Sequence, residues 1–204
     1  MKKPIVKLVS EWSSYEDKNP GADIASFCRY ILSRPESKPT ATRSENVGQL
    51  ARIIGRLSSA YGLYHRAAMT NTKLPATDSF YYLNCLMQLG EVKKMELINY
   101  LFAETTTGME AINKLHKAGL VKERPDPSDG RAKLVSITDK GIKKLKECMS
   151  NAQKVNEMIF RSLDDDTIST CIDLLKSAEA THSRRSVELK QKPFNEMYKV
   201  MMKD

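Results

Sequence analysis

Residues 115–141 read LHKAGLVKERPDPSDGRAKLVSITDKG, and the order of signals in this stretch decides the fold. Leu115 closes a helical apolar face, and Gly119 stands where a helix C-terminal glycine belongs. The period of apolar residues then changes from helical to alternating. Val121-Lys122-Glu123-Arg124 reads as a strand, Asp126-Pro127-Ser128-Asp129-Gly130 is dense turn chemistry, and Arg131–Ile137 reads as a second strand. Thr138 is placed to cap a following helix. The stretch therefore predicts a hairpin with a charged tip, set between two helices.

Three short helices precede it. Phe80, Leu83, Leu86 and Met87 make the apolar face of one, ended by Gly90. Met95, Leu97, Ile98 and Leu101 make the next; Met109, Ile112 and Leu115 make the third, with Thr105, Thr106 or Thr107 as its N-cap. Two short helices joined by a tight turn let the second present its N-terminal end to a major groove. That second helix is expected over roughly 105–118. Its opening, Thr105-Thr106-Thr107-Gly108, is small and polar, which suits close approach to phosphates, and free backbone N–H groups at a helix start also bind them. Lys114 and Lys117 lie farther along the helix, and the hairpin offers Arg124, Arg131 and Lys133 to the adjacent backbone or minor groove.

The 115–141 stretch resembles the wing signature of the MarR family of bacterial regulators. That pattern is a leucine, a short gap, Gly-Leu, a basic strand, an Asp-rich tip with Asp-x-Arg, an alternating strand and Thr-x-x-Gly. Every part stands here in order, and the resemblance covers about residues 45–180. It implies a homodimer of winged helices held by the first and last helices of each chain, a palindromic double-stranded operator, usually repression, and often release by a small phenolic or other apolar effector. It implies that Arg131 enters the minor groove, that Asp129 orients it, and that Thr107 is the polar residue near the recognition-helix start. Two positions depart from the pattern. Gly108 stands where an aliphatic residue is common, and Glu110 where a basic or polar contact residue is common. A glutamate there repels phosphates but can accept from a cytosine amino group.

Farther out, Thr42 and Glu45 have capping-box spacing. Val47, Leu50, Ile54, Leu57, Tyr61, Tyr64 and Ala68 follow in steps of three and four, a heptad-like seam. Such a helix lies either on its own core or against a partner chain, and heptad spacing favours the partner. Tyr61, Tyr64 and His65 lie near where the resemblance puts a ligand pocket; packing is the plainer reading. Ile24, Phe27, Cys28, Ile31 and Leu32 predict one short helix in the first forty residues, after a turn at Asn19-Pro20-Gly21 and before a stiff linker at Arg34–Pro39. Beyond the wing, Ile142, Leu145, Met149, Ala152, Ile159 and Leu163 give one long apolar face. Asp164-Asp165-Asp166 opens a further helix with Ile168, Cys171, Ile172, Leu175 and Ala178 as its buried face.

The expected fold class is mainly α with a small β-hairpin wing, a winged helix-turn-helix with a helical dimerisation region. The expected division is an N-terminal extension over 1–40, the winged-helix domain over 41–182 and a tail over 183–204. Within the domain, dimerisation helices span about 45–73 and 138–182, and the DNA-binding lobe about 76–137. The net charge of +8 favours an anionic partner. Cys28, Cys85, Cys148 and Cys171 show no metal spacing and are read as free thiols, mostly packing; His65, His116 and His182 are too scattered for a metal site. No phosphate loop, nucleophile elbow or supported carboxylate pair suggests an enzyme, and no cofactor is called for. Lys7 and Glu11 leave no apolar leader behind Met1-Lys2-Lys3, and no run reaches transmembrane length, so a cytoplasmic protein is expected. The rival reading is a winged helix used as a protein–protein interaction module.

Overall fold

The computed structural model describes residues 4–33 and 42–203, which fall into two units divided between Ile54 and Gly55. The linker read at Arg34–Pro39 lies outside the described residues.

The first unit holds α1 (Pro4–Glu16), α2 (Ile24–Ser33) and the start of α3 (Arg43–Met69). The extension thus carries two helices where one was expected. Helix α1 was missed although Ile5, Leu8, Val9 and Trp12 have helical spacing. Trp12 meets buried Phe27 edge-on at 5.0 Å, and Tyr15 stacks on Tyr30 at 4.6 Å, so an aromatic cluster joins the two helices. Gly21, at φ 84°, makes the expected turn. Asp23 and Ser26 cap α2 reciprocally: the Ser26 N–H donates to Asp23 Oδ1 at 2.7 Å, and the Asp23 N–H to Ser26 Oγ at 3.1 Å. The Thr42–Glu45 box at the start of α3 is present as well, with bonds of 2.5 and 3.3 Å.

The second unit continues α3 through a 3₁₀ turn at Thr70–Thr72. It adds α4 (Ser79–Leu89), β1 (Val92–Lys93), α5 (Lys94–Tyr100), α6 (Thr105–Lys117), β2 (Val121–Asp126) and β3 (Asp129–Ile137). The last three helices are α7 (Asp139–Phe160), α8 (Asp165–Leu189) and α9 (Phe194–Met201). The sheet is antiparallel in the order β1-β3-β2, with Val92 opposite Val135 and Val121 opposite Ile137. Leu83, Leu86, Leu97, Ile98, Ile112, Leu115, Val135 and Leu145 are almost fully buried and make the core between α4, α5, α6, α7 and the sheet. Each such side chain contributes about 1.5–3 kcal/mol of transfer free energy, which fixes α5 and α6 on the lobe. Mainly helical structure with a β wing is what the apolar periods predict.

Three burial expectations need correction. Met149 is 50% exposed, and Cys148 and Val155 take the buried positions of α7 beside Leu145 and Ala152. The face expected to be buried on α8 is exposed within one chain: Ile172 is 58% and Leu175 43% exposed, and Cys171 is exposed too. Cys28 is likewise exposed rather than packed, whereas Cys85 and Cys148 are buried. Asp164 nevertheless caps α8 as its position suggests, accepting from the Thr167 N–H at 2.8 Å.

Candidate nucleic-acid interface

Helices α5 and α6 meet through the turn Leu101–Glu104, where Phe102 adopts φ 51°. They cross without room for a side chain, since a Cβ on Gly108 would lie 2.6 Å from Ile98 Cγ1. That explains the glycine at a position where an aliphatic residue was expected. Helix α6 buries Gly108, Ala111, Ile112 and Leu115, and Thr105, Thr106, Thr107, Glu110, Lys114 and Lys117 are all exposed. The N-cap is Glu104, not a threonine; its carbonyl accepts the first intrahelical bond, from the Gly108 N–H at 2.8 Å. The three threonines therefore form the exposed first turn. Their backbone N–H groups are the ones a helix leaves without intrahelical partners, at the positive end of its dipole.

The Gly-Leu and Thr-x-x-Gly parts of the signature meet in a single joint. Gly119 ends α6 at φ 70°. The Thr138 hydroxyl donates to the Gly119 carbonyl at 2.8 Å, with the Leu120 carbonyl 3.1 Å away, and accepts from the Gly141 N–H at 3.1 Å. A Cβ on Gly141 would stand 2.1 Å from the Leu120 carbonyl oxygen, so only glycine lets α7 start against the end of α6. The joint sets the wing's orientation relative to α6.

In the wing, buried Asp126 accepts from the backbone N–H and the hydroxyl of Ser128, each at 2.8 Å, and pairs with Lys93 at 3.2 Å. The Ser128 N–H, then its hydroxyl, then Lys93 hold the Asp126 pKa at about 2. Asp129 Oδ1 accepts from the backbone N–H of Arg131 at 3.1 Å. Its bond thus orders the tip's backbone, where an orientation of the Arg131 side chain was expected. The three wing cations differ in availability. The Arg124 guanidinium grips Glu91 through both Nε and Nη2, and that hydrogen bonding holds the Glu91 carboxyl below its ordinary pKa. Lys133 faces Glu123 at 3.5 Å, and Lys94 sits 2.5 Å from the other oxygen of the same carboxylate. Exposed Arg131 has no acid partner among the described residues. Sequence reading missed the acids Glu91 and Glu123 as partners. Their pairing across strands depends on a register that charge spacing alone does not reveal.

Of the candidate ligand residues, Tyr61 and His65 stand together and Tyr64 stands apart. His65 is 1% exposed and stacks on Tyr81 at 4.5 Å and on Tyr61 at 5.9 Å, and burial lowers its pKa. Tyr64 instead lines a separate groove of about 290 Å³ with Ala68, Asn151 and Val155. Among the described residues no cluster of His, Cys, Asp or Glu could hold a metal, and no helix is long and apolar enough to cross a membrane.

This geometry defines a winged helix protein: α5 and α6 form the helix-turn-helix, and β2 and β3 the wing. Residues 81–141 match the family model described as a winged helix DNA-binding domain. Solved structures match more of the chain. A SlyA-like transcription regulator from Listeria monocytogenes aligns with TM-score 0.62 at 20% identity, covering 69% of this chain and 93% of its own. A mutant MarR from E. coli, complexed with operator DNA, aligns with TM-score 0.58 at 19% identity, covering 68% of this chain and 99% of its own. Bordetella bronchiseptica BpsR, whose DNA binding is regulated by 6-hydroxynicotinic acid, aligns with TM-score 0.58 at 20% identity, covering 64% and 98%. No curated protein matches. The chain shares the winged-helix fold of these regulators.

Proposed function

We propose that two copies of this chain bind a palindromic double-stranded operator in the cytoplasm and repress transcription from it, with a small ligand releasing the DNA. The observation that carries the reading is the exposed Thr105–Thr107 turn of α6 together with an exposed Arg131 on the adjoining wing that has no acid partner among the described residues. The first offers N–H groups, hydroxyls and a dipole to a major groove, and the second a cation to the neighbouring minor groove or backbone. Glu110 and Lys114 lie on the same exposed face as candidates for base and phosphate contact. Arg124 and Lys133 are secondary, because each must leave an acid before it meets a phosphate. Dimerisation is supported by the apolar seam of α3 and the face of α8. Val47, Leu50, Ile54, Leu57, Ile172 and Leu174 are all 43% exposed or more in one chain, far beyond what a monomer commonly leaves open along a helix. A dimer reading two half-sites needs recognition helices about 34–36 Å apart.

The test is a mobility-shift titration on duplex DNA from the region upstream of the protein's own gene. Wild type should bind tightly at low salt and lose affinity steeply as salt rises, by counterion release. Arg131→Ala should weaken binding roughly tenfold or more and reduce the log–log salt slope by about 1 while the dimer persists. Unchanged affinity in that variant, or no binding by wild type at low salt, would overturn the proposal.

A further inference from the structure

The outward stripe of α6 carries one group whose charge opposes a phosphate-lined groove. Thr106, Glu110, Asn113 and Lys117 are all exposed and follow in steps of four, three and four. At about 100° per residue they lie within about 60° of one another, roughly opposite the buried Gly108, Ala111, Ile112 and Leu115. Of the four side chains in this stripe, only that of Glu110 accepts without being able to donate. The acids beside the wing are neutralised: Glu91 pairs with Arg124, Glu123 with Lys94 and Asp126 with Lys93. Glu110 has no ion pair and no side-chain hydrogen bond among the described residues, although Lys114 stands one helical turn along. Exposure gives this carboxylate no packing role, and its charge opposes general affinity for phosphates. Discrimination between bases is the role its chemistry fits.

We propose that Glu110 is a specificity-determining residue that makes each operator half-site require a cytosine, by accepting a hydrogen bond from its N4 amino group in the major groove. This rests on the DNA-binding reading above. The edges of the bases decide between them. Guanine presents N7 and O6 and thymine presents O4, all acceptors, and each repels a carboxylate. Adenine offers its N6 amino group but sets the N7 acceptor beside it. Cytosine offers its amino group with only a C–H beside it, so it alone meets the two carboxylate oxygens without a clash. Glu110 thus works chiefly by rejecting the other three bases, and it gives up some affinity for all DNA in doing so.

Sequencing the duplexes that the full chain retains from a randomised library at low salt tests this. Wild type should enrich a palindrome with a cytosine at one fixed position of each half-site. Glu110→Gln should move the preference at that position from cytosine towards adenine, because the carboxamide adds a donor for N7. Glu110→Ala should leave that position without preference and the rest of the palindrome intact. On duplexes lacking the palindrome, both variants should bind several-fold more tightly than wild type, since a charge that repels phosphates has gone. A mobility shift on the selected operator isolates the amino group. Replacing that cytosine by 2-pyrimidinone, which lacks only the N4 amino group, should weaken wild type roughly tenfold more at each half-site than it weakens Glu110→Ala. A palindrome identical in all three proteins, or one in which the position altered by the variants is not cytosine, would overturn the role of Glu110 and leave the regulator reading in place. A wild type that enriches no sequence would sink the regulator reading and this inference with it.

Discussion

Adding one methyl group at three glycines should give three different outcomes, in an order set by what the methyl meets. In Gly141→Ala the new Cβ lies 2.1 Å from the Leu120 carbonyl oxygen, so backbone must move by about an ångström to restore contact near 3 Å. Helix propensity favours alanine by about 0.5–1 kcal/mol, while overpacking costs about 1–3 kcal/mol and more when backbone is the obstacle. Shifting α7 also strains the Thr138 cap, worth about 1 kcal/mol. The net loss is about 2–3 kcal/mol, a fall in Tm of about 4–12 °C for a chain of this size. In Gly108→Ala the obstacle is the Ile98 side chain, with its Cγ1 at 2.6 Å and Cδ1 at 3.0 Å; it can change rotamer, so the loss should be smaller, about 1 kcal/mol. Gly48 on α3 has nothing within 4 Å, so Gly48→Ala should gain about 0.5–1 kcal/mol. Urea melts at one fixed protein concentration measure all three, since the proposed dimer would make stability concentration-dependent. A neutral Gly141→Ala, or one milder than Gly108→Ala, would refute the joint between α6, the wing and α7.

Other outcomes follow from the charges. Glu91→Gln frees Arg124 from its ion pair, so DNA affinity should rise several-fold and the salt slope should steepen by up to about 1; an unchanged slope in the mobility shift would show that Arg124 never meets a phosphate. Burial lowers the His65 pKa, partly opposed by Asp78, so the folded chain holds this ring neutral. Below about pH 6.5 the unfolded chain binds a proton there that the folded chain does not, so stability should fall as the pH drops from 6.5 towards the depressed folded value. His65→Phe keeps the stack on Tyr81 and should flatten that branch of a stability–pH profile; a profile identical to wild type would remove His65 as its source.

The wing was legible because its determinants are local. Gly119, Thr138 and Gly141 act within a span of 23 residues, and their roles follow from φ, a cap and a close contact. Helix α6 was legible from its period, but its cap was not. Glu104 holds that position with only its backbone, so no side-chain preference marks it. The charge partners were illegible for a different reason. Glu91 and Arg124 are 33 residues apart and meet only once β3 has paired with both β1 and β2.

The α8 seam is the instructive failure, because its apolar periodicity is correct and its burial within one chain is not, while on α3 the periodicity left open what covers the face. A period reports that a face must be covered, and it does not report by what. Tyr61 and His65, at the C-terminal end of the α3 seam, find cover in Phe80 and Tyr81 of the same unit. Val47, Leu50, Ile54 and Leu57, at its N-terminal end, stay 43% exposed or more, and so do Ile172, Leu174 and Leu175 of α8. Leaving seven large apolar side chains at least 43% exposed forfeits roughly 1 kcal/mol or more of burial at each. Two copies can recover that by pairing these helices, which makes the fold of the dimer arms dependent on protein concentration. Dilution should therefore loosen α8 and the first half of α3 before it disturbs α4–α6 and the wing. Hydrogen exchange at falling concentration checks this, and uniform protection loss across all helices would rule it out.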